Sequence, residues 1–470
     1  GAELAISGGL SGVTEPITVS GLGLTGTPNG AIRNTSGNNT ITGLVTLGAT
    51  TEIQSDSGTL TLDPPTGSAI TGTFNLTFDA NTGDIAVADP IATSTGTVTK
   101  SGSGTLTLSG ANTYSGATTI SAGTFTVSGT GVLGSGTPNN YTAGVTNNAT
   151  FIYSSSADQT LSGIISGSGT LTKNTGIGTL TLSAANTYTG NTTISTGVVA
   201  ISNNTALGDN TTTRGTTSVA SGAALAISGG LTGVTEPITV SGLGLTSSPN
   251  GAIRNTSGNN TIASLVTLAA DTEIQSDSGT LTFDPSSGSA ITGTFDLTVD
   301  ANTGNVTVVD PIATSTGNLV KSGTGMLTLA GANTYSGTTT INASGGTISV
   351  TGTLGASVSP ASYAGQISIG SSGTFSYASN TDQTLTGKIT GTGAVSKSGT
   401  STLTTGSSST GAIRNLDTVG VTNNNTVTGN VLLGANTSVG SDADTLTFDT
   451  TSGNAFDATT GTPTLTIIGA

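Results

Sequence analysis

The feature that most constrains this chain is that it repeats itself at two scales. AISGGLSGVTEPITVSGLGL at 5–24 returns as AISGGLTGVTEPITVSGLGL at 226–245. GAIRNTSGNNTI begins at Gly30 and again at Gly251, and ANTYSG begins at Ala111 and again at Ala332. Each pair is separated by 221 residues, within about 120 residues of which roughly four in five are identical. A partial third copy opens with GAIRN at Gly411 and runs to Asp449, with five more residues between Arg414 and Asp449 than between Arg33 and Asp63, as a loop insertion produces. The repetition divides the chain into copy one (1–221), a shortened copy two (222–410) and a partial third copy (411–470), read as one continuous array.

A shorter unit is nested inside. GTLTLSGANTYSGATTISAGTFTVSG at 104–129, GTLTLSAANTYTGNTTISTGVVAIS at 178–202 and GMLTLAGANTYSGTTTINASGGTISV at 325–350 each hold three short alternating segments separated by Gly or Asn. ADQTLSGIISGSGTLTK at 157–173 likewise returns as TDQTLTGKITGTGAVSK at 381–397. A strand of three to five residues turns only two or three side chains inward, too few to offset its own ordering entropy. Stacked coils solve this, because each strand pairs with its equivalent about 4.8 Å above and below. The inward residues then form a column of Leu, Ile, Val and Thr methyl groups, and the outward Thr and Ser suit strands. Gly and Asn between segments fit corners with left-handed backbone. The reading is an all-β chain, a β-solenoid in a single elongated array. With roughly 20–30 residues per coil it makes a rod on the order of 80–110 Å. Tandem sandwiches are the competing architecture, although they call for longer strands and more buried aromatics. A propeller lacks its uniform period of about 40–50 residues.

Composition narrows the chemistry. The 470 residues include no His, no Cys, no Trp and 72 Gly, and Thr makes up about a fifth. Without His or Cys, a Ser-His-Asp triad, a cysteine nucleophile and an ordinary zinc site are excluded. Nine basic against 24 acidic residues, a net charge of −15, argues against a nucleic-acid partner. No apolar run approaches 18 residues, so no membrane-spanning helix is expected. Disorder is disfavoured because Val, Ile and Thr recur in alternating runs.

The three tyrosine units resemble the autotransporter-associated β-strand repeat of bacterial autotransporter passengers and large repetitive surface proteins. The pattern is carried by Gly104, Leu106, Leu108, Asn112, Tyr114, Gly116 and Ile120, with Gly178 to Ile194 and Gly325 to Ile341 repeating it. The resemblance covers under a fifth of the chain. It implies a right-handed parallel β-helix outside the cell, acting as stalk or adhesin. GAELAISGG shows neither an initiator Met nor a signal peptide, and TLTIIGA lacks a barrel-forming strand series. The expectation is a processed chain or an internal section of a longer protein.

Acidic residues are the only reactive side chains present in numbers. Glu52, Asp56 and Asp63 match Glu273, Asp277 and Asp284, while copy three keeps Asp442 and Asp449 and has Ser438 in place of the Glu. Asp79, Asp84 and Asp89 become Asp300, Asn305 and Asp310. Carboxylate pairs on β-helices can cleave sugars, yet a site altered between copies points instead to corner Asp residues bonding turn amides. No catalytic, cofactor-binding or metal residue is assigned. FDANTGD at 78–84 loosely follows a calcium loop, with VDANTGN at 299–305 one carboxylate short, so a structural calcium is the one cofactor left open beside an Asx turn. Arg33, Arg254 and Arg414 in identical GAIRN contexts are read as ion-paired to a nearby carboxylate about one coil away, such as Asp63, Asp284 or Asp449, with ligand-binding or lateral contact points between rods as the alternative. Lys100 and Lys321 are read as solvated edges. Tyr114, Tyr188 and Tyr335 are read as corner caps with their hydroxyls in water, a sugar-stacking ladder being the alternative. Sequons such as Asn38-Asn39-Thr40 arise by chance in this composition.

These readings converge on a non-enzymatic, extracellular rod or fibre at a bacterial cell surface. Its expected partners are further copies of itself, end to end or laterally, or a host-cell, surface or glycan ligand read by loops at 130–160 and 351–380. A filament subunit and a polysaccharide-degrading β-helix are the alternatives.

Overall fold

The computed structural model describes residues 1–405, apart from 26–28, 135, 137, 210–213, 247 and 356–360, and beyond them the backbone of seven strands between Ala412 and Gly469. The chain divides into two compact units, Gly1–Ala226 and Ile227–Ala470. The described residues contain no helix, and parallel strands stack as a β-solenoid.

Each unit is built of coils whose strands pair in parallel with those of the next coil. In the first unit Ile53 pairs with Phe78, Phe78 with Lys100 and Lys100 with Ile120, so successive coils take 25, 22 and 20 residues. In the second unit Ile274, Val299, Lys321 and Ile341 pair in the same series, with the same 25, 22 and 20. Alternation puts every second residue inward. Leu106, Phe125, Phe151 and Leu171 stack in register down one face of the first unit, each at most 1% exposed. Phe125 and Phe151 meet edge to face at 5.6 Å. Each such side chain contributes about 1.5–3 kcal/mol by leaving water.

Glycine marks the places where one coil's corner lies against the next. A Cβ on Gly116 would sit 2.3 Å from the carbonyl oxygen of Gly96, and one on Gly337 would sit 2.2 Å from that of Gly317. Left-handed corners are nearly all glycine: among the described non-glycine residues only Ser94, Asn139, Thr175 and Ser315 have positive φ. The motif asparagines therefore do not take the left-handed backbone that the sequence reading gave to corner Asn. Asn112 is buried, its Oδ1 accepts from the Ile91 amide at 3.0 Å, and its Nδ2 donates to Gly110 O and Val132 O at 2.9 and 2.8 Å. One side chain thus ties three successive coils. Asn186 and Asn333 repeat the arrangement, on Ile165 and Ile312.

The segments 130–160 and 351–380 are not free loops. The first supplies the strands Asn140–Tyr141, Val145–Asn147 and Thr150–Tyr153, and the second Ala361–Tyr363, Ile367–Ile369 and Thr374–Tyr377. Their Tyr141, Tyr153, Tyr363 and Tyr377 are core residues.

Gly116→Ala is expected to destabilise the folded chain by about 1–3 kcal/mol through overpacking against Gly96, read as a lower denaturation midpoint at unchanged slope.

Candidate functional site

A polar cluster in each unit grows from one long strand, Val45–Ser55 in the first and Val266–Ser276 in the second. Its outward residues meet those of neighbouring coils in register: Arg33 against Gln54, Gln54 against Asp79, Asp79 against Ser101. Arg33 Nε donates to Asp56 Oδ2 at 2.6 Å and Gln54 Nε2 to Asp56 Oδ1 at 2.5 Å, while Glu3 lies 3.6 Å from Arg33 Nη1. In the second unit Arg254 Nε donates to Asp277 Oδ2 at 2.6 Å, and Gln275 donates to the other oxygen. The arginines are ion-paired one coil away, as expected, but to Asp56 and Asp277 rather than Asp63 and Asp284. The side chain of Arg414, like those of Ser438, Asp442 and Asp449, lies outside the described residues.

Burial alone raises the Asp56 carboxyl, but hydrogen bonds from Gln54 and Arg33, the Arg33 charge and Asn81 outweigh it and hold the group below its ordinary value. Glu52 goes the other way, raised by burial and then by the Asp79 charge. Asp79 is raised by burial, with Lys100 opposing and Asp56 reinforcing. Glu273 and Asp300 repeat both directions for the same causes. The calcium-like loop at 78–84 is drawn into this cluster. Thr82 Oγ1 donates to the Asp56 carbonyl, and Asp79 Oδ1 is buried without a hydrogen-bond partner. No three acidic side chains converge as a metal cage among the described residues.

Three other acids bond turn amides. Asp84 Oδ1 accepts from the Thr105 amide at 2.8 Å, and Asn305 in the second unit does the same for Met326 at 2.9 Å. Asp158 and Asp382 cap Thr179 and Thr402, each at 2.7 Å. The bonded amide belongs to the next coil rather than to the residue's own turn. An amide oxygen serves as well as a carboxylate here, which accounts for the change from Asp84 to Asn305 between copies. Asp89 is raised by burial and then by the Asp63 charge.

The lysines and tyrosines overturn their sequence readings. Lys100 and Lys321 are fully buried, not solvated. Lys100 Nζ donates to Ser101 O, Gly102 O and Ala122 O at 2.6, 2.7 and 3.2 Å, and Lys321 Nζ to Ser322 O, Gly323 O and Gly345 O at 2.5, 2.8 and 2.9 Å. Lys173 and Lys397 fill equivalent nests, each also over a tyrosine ring, Tyr153 and Tyr377. The ammonium closes a turn whose carbonyls no strand can reach. Burial pushes all four amines down to about 8. Tyr114, Tyr188 and Tyr335 are fully buried, and their hydroxyls meet Thr118, Thr192 and Thr339 at 3.0, 2.6 and 2.9 Å. Thr118 passes the chain on to Tyr141, whose hydroxyl donates to Gly116 O, and Thr339 does the same with Tyr363 and Gly337. No ring is available to stack on a sugar at these positions. The recurrent DQTL signalled one further buried group: Gln159 and Gln383 bond the backbone of Leu133 and Leu354.

The repeated polar groups thus make a scaffold that binds coil to coil. The class defined is a parallel β-solenoid whose internal polar ladders satisfy its own turns. Residues 98–127, 175–201 and 319–350 match the passenger-associated-transport-repeat family model. Three stretches of the chain are therefore repeats of the kind carried by autotransporter passenger proteins, and they are the three tyrosine units. No curated protein and no solved structure matches the chain.

Asp277→Asn removes the carboxylate charge that Arg254 Nε meets and is expected to cost on the order of 1–2 kcal/mol, discounted for partial exposure, measured by denaturant unfolding. The lysines set a pH dependence. Their pKa is about 8 folded against an ordinary 10.5, so the unfolded chain binds more protons between those values and stability rises with pH through that window. Above about pH 10 the buried tyrosines, Tyr141 and Tyr363 at about 12, reverse the trend, because the unfolded chain ionises first. Thermal melts from pH 7 to 11 are expected to peak near pH 10, and Lys100→Met with Lys321→Met to flatten the rise.

Proposed function

We propose that this chain is a non-enzymatic structural or adhesive β-solenoid held at the bacterial cell surface. The repeat family implies a secreted or surface location, and its members are generally non-catalytic. The observation that carries the reading is the fate of the reactive side chains. The acid clusters recur in both units with the same partners, Arg33 with Asp56 and Arg254 with Asp277, and their hydrogen bonds run from coil to coil. A catalytic carboxylate needs an approach for substrate, whereas these groups are used in holding the coils in register. Buried lysines and tyrosines leave turns with satisfied carbonyls and few handles for a protease.

Two roles fit this reading, a stalk that displays or adheres and a subunit of a longer fibre. Electron microscopy of the native material distinguishes them. Discrete rods that retain cell or glycan binding support the adhesive stalk, and long uniform fibres support the filament. Replacing Asp56 and Asp277 with Asn is expected to lower stability without altering any sugar-cleaving activity. Polysaccharide turnover by the wild-type chain that disappears in this variant at temperatures where it stays folded would overturn the non-enzymatic reading.

A further inference from the structure

One face of the first unit carries a two-dimensional array of threonines. Its strands run Thr59–Leu62, Asp84–Val87, Thr105–Leu108, Thr124–Val127, Thr150–Tyr153 and Thr170–Lys173, each paired in parallel with the next. Inward residues are the core column described above. Outward, Thr105 and Thr107 stand over Thr124 and Thr126, and after a rung bearing Thr150 and Ile152 come Thr170 and Thr172. The central column continues in register to Thr193 and Ser218.

Three properties together define this face. It is uncharged from Thr105 onward in a chain of net charge −15, with Asp84 bounding it on one side. Its aromatic rings, Phe125, Phe151 and Tyr153, all point into the core, so it offers no platform for the flat face of a sugar. Among the described residues no protein group bonds the Oγ1 atoms of its threonines, as is also true of the single column Thr77, Thr99, Thr119 and Thr146 on another face, whereas here two such columns stand side by side at Thr105 and Thr107 over Thr124 and Thr126. The free hydroxyls therefore meet solvent, each with a donor and two acceptor positions. Parallel-sheet geometry spaces them about 4.8 Å between strands and about 6.6 Å along a strand. β-Branched side chains are stiff at χ1, so this spacing is held before any partner arrives and little rotamer freedom is lost on contact.

We propose that this threonine face binds ice. The partner it fits is uncharged, rigid, periodic in two dimensions and composed of groups that both donate and accept hydrogen bonds. A layer of water molecules in an ice plane has all four properties. A flexible polymer in solution would have to be ordered first, and a charged surface has nothing to pair with here.

The test uses the full chain in ice-recrystallisation and ice-shaping assays. Wild-type protein is expected to halt recrystallisation and facet growing crystals. Thr107→Lys with Thr126→Lys is expected to raise the concentration needed by about tenfold or more, while Thr77→Lys with Thr99→Lys, on a different face, leaves it unchanged. Circular dichroism melts establish that each variant folds; if the lysine pair does not, Thr107→Tyr with Thr126→Tyr breaks the flat array with residues that strands tolerate. Ice growth indistinguishable from buffer with wild-type protein overturns the proposal. So does equal loss in both pairs of variants, or wild-type protein that sediments with crystalline cellulose or chitin and leaves ice unaffected. None of these outcomes bears on surface location or on the absence of catalysis.

Discussion

Everything in this structure depends on the pairing of each short strand with its counterpart one coil away. A strand such as Thr118–Ile120 has no partner of its own within its coil. Its amides and carbonyls are satisfied only by the coils above and below, so it exists only as a member of a stack. That requirement forces the rest. Coils must have compatible lengths, inward residues must fall on inward residues, and corners must pass one another at backbone contact. Gly116 over Gly96 and Gly337 over Gly317 follow from the last condition.

Strand pairing leaves a residue of unsatisfied groups at the corners, and the polar side chains of this protein are placed to absorb it. Asn112 bonds three successive coils, Lys100 gathers three turn carbonyls, and the Tyr114–Thr118–Tyr141 chain ends on a glycine carbonyl. A buried ammonium would be costly alone, but carbonyl oxygens surround it. The low lysine pKa and high tyrosine pKa values are the electrostatic trace of the same burial. The pairs Arg33–Asp56 and Arg254–Asp277 do comparable work nearer the surface, and carry less weight there because water screens them.

The two units are near-copies, and their differences are informative. Asp84 becomes Asn305 while the hydrogen bond it makes is kept, so the position needs an acceptor and not a charge. The coil lengths of 25, 22 and 20 residues are retained through every substitution between the copies. A net charge of −15 favours solubility.

The sequence by itself determined the solenoid. Nested repeats, alternation with period two and glycine punctuation are local properties, and each is written in consecutive residues. It also located the tyrosine units, the corner acids and the existence of an arginine ion pair. Tertiary structure alone decided which acid each arginine meets, because Asp56 and Asp63 both lie about one coil from Arg33 and only the register of stacking chooses between them. It alone decided that Lys100, Lys321 and the motif tyrosines are interior. A lysine at a strand end followed by Ser-Gly looks solvated in a linear chain, and becomes buried only when the next coil closes over the turn it caps. The free threonine array was legible as composition but not as a surface. Alternation shows which residues face outward, while the pairing of one coil with the next decides that they stand in rows.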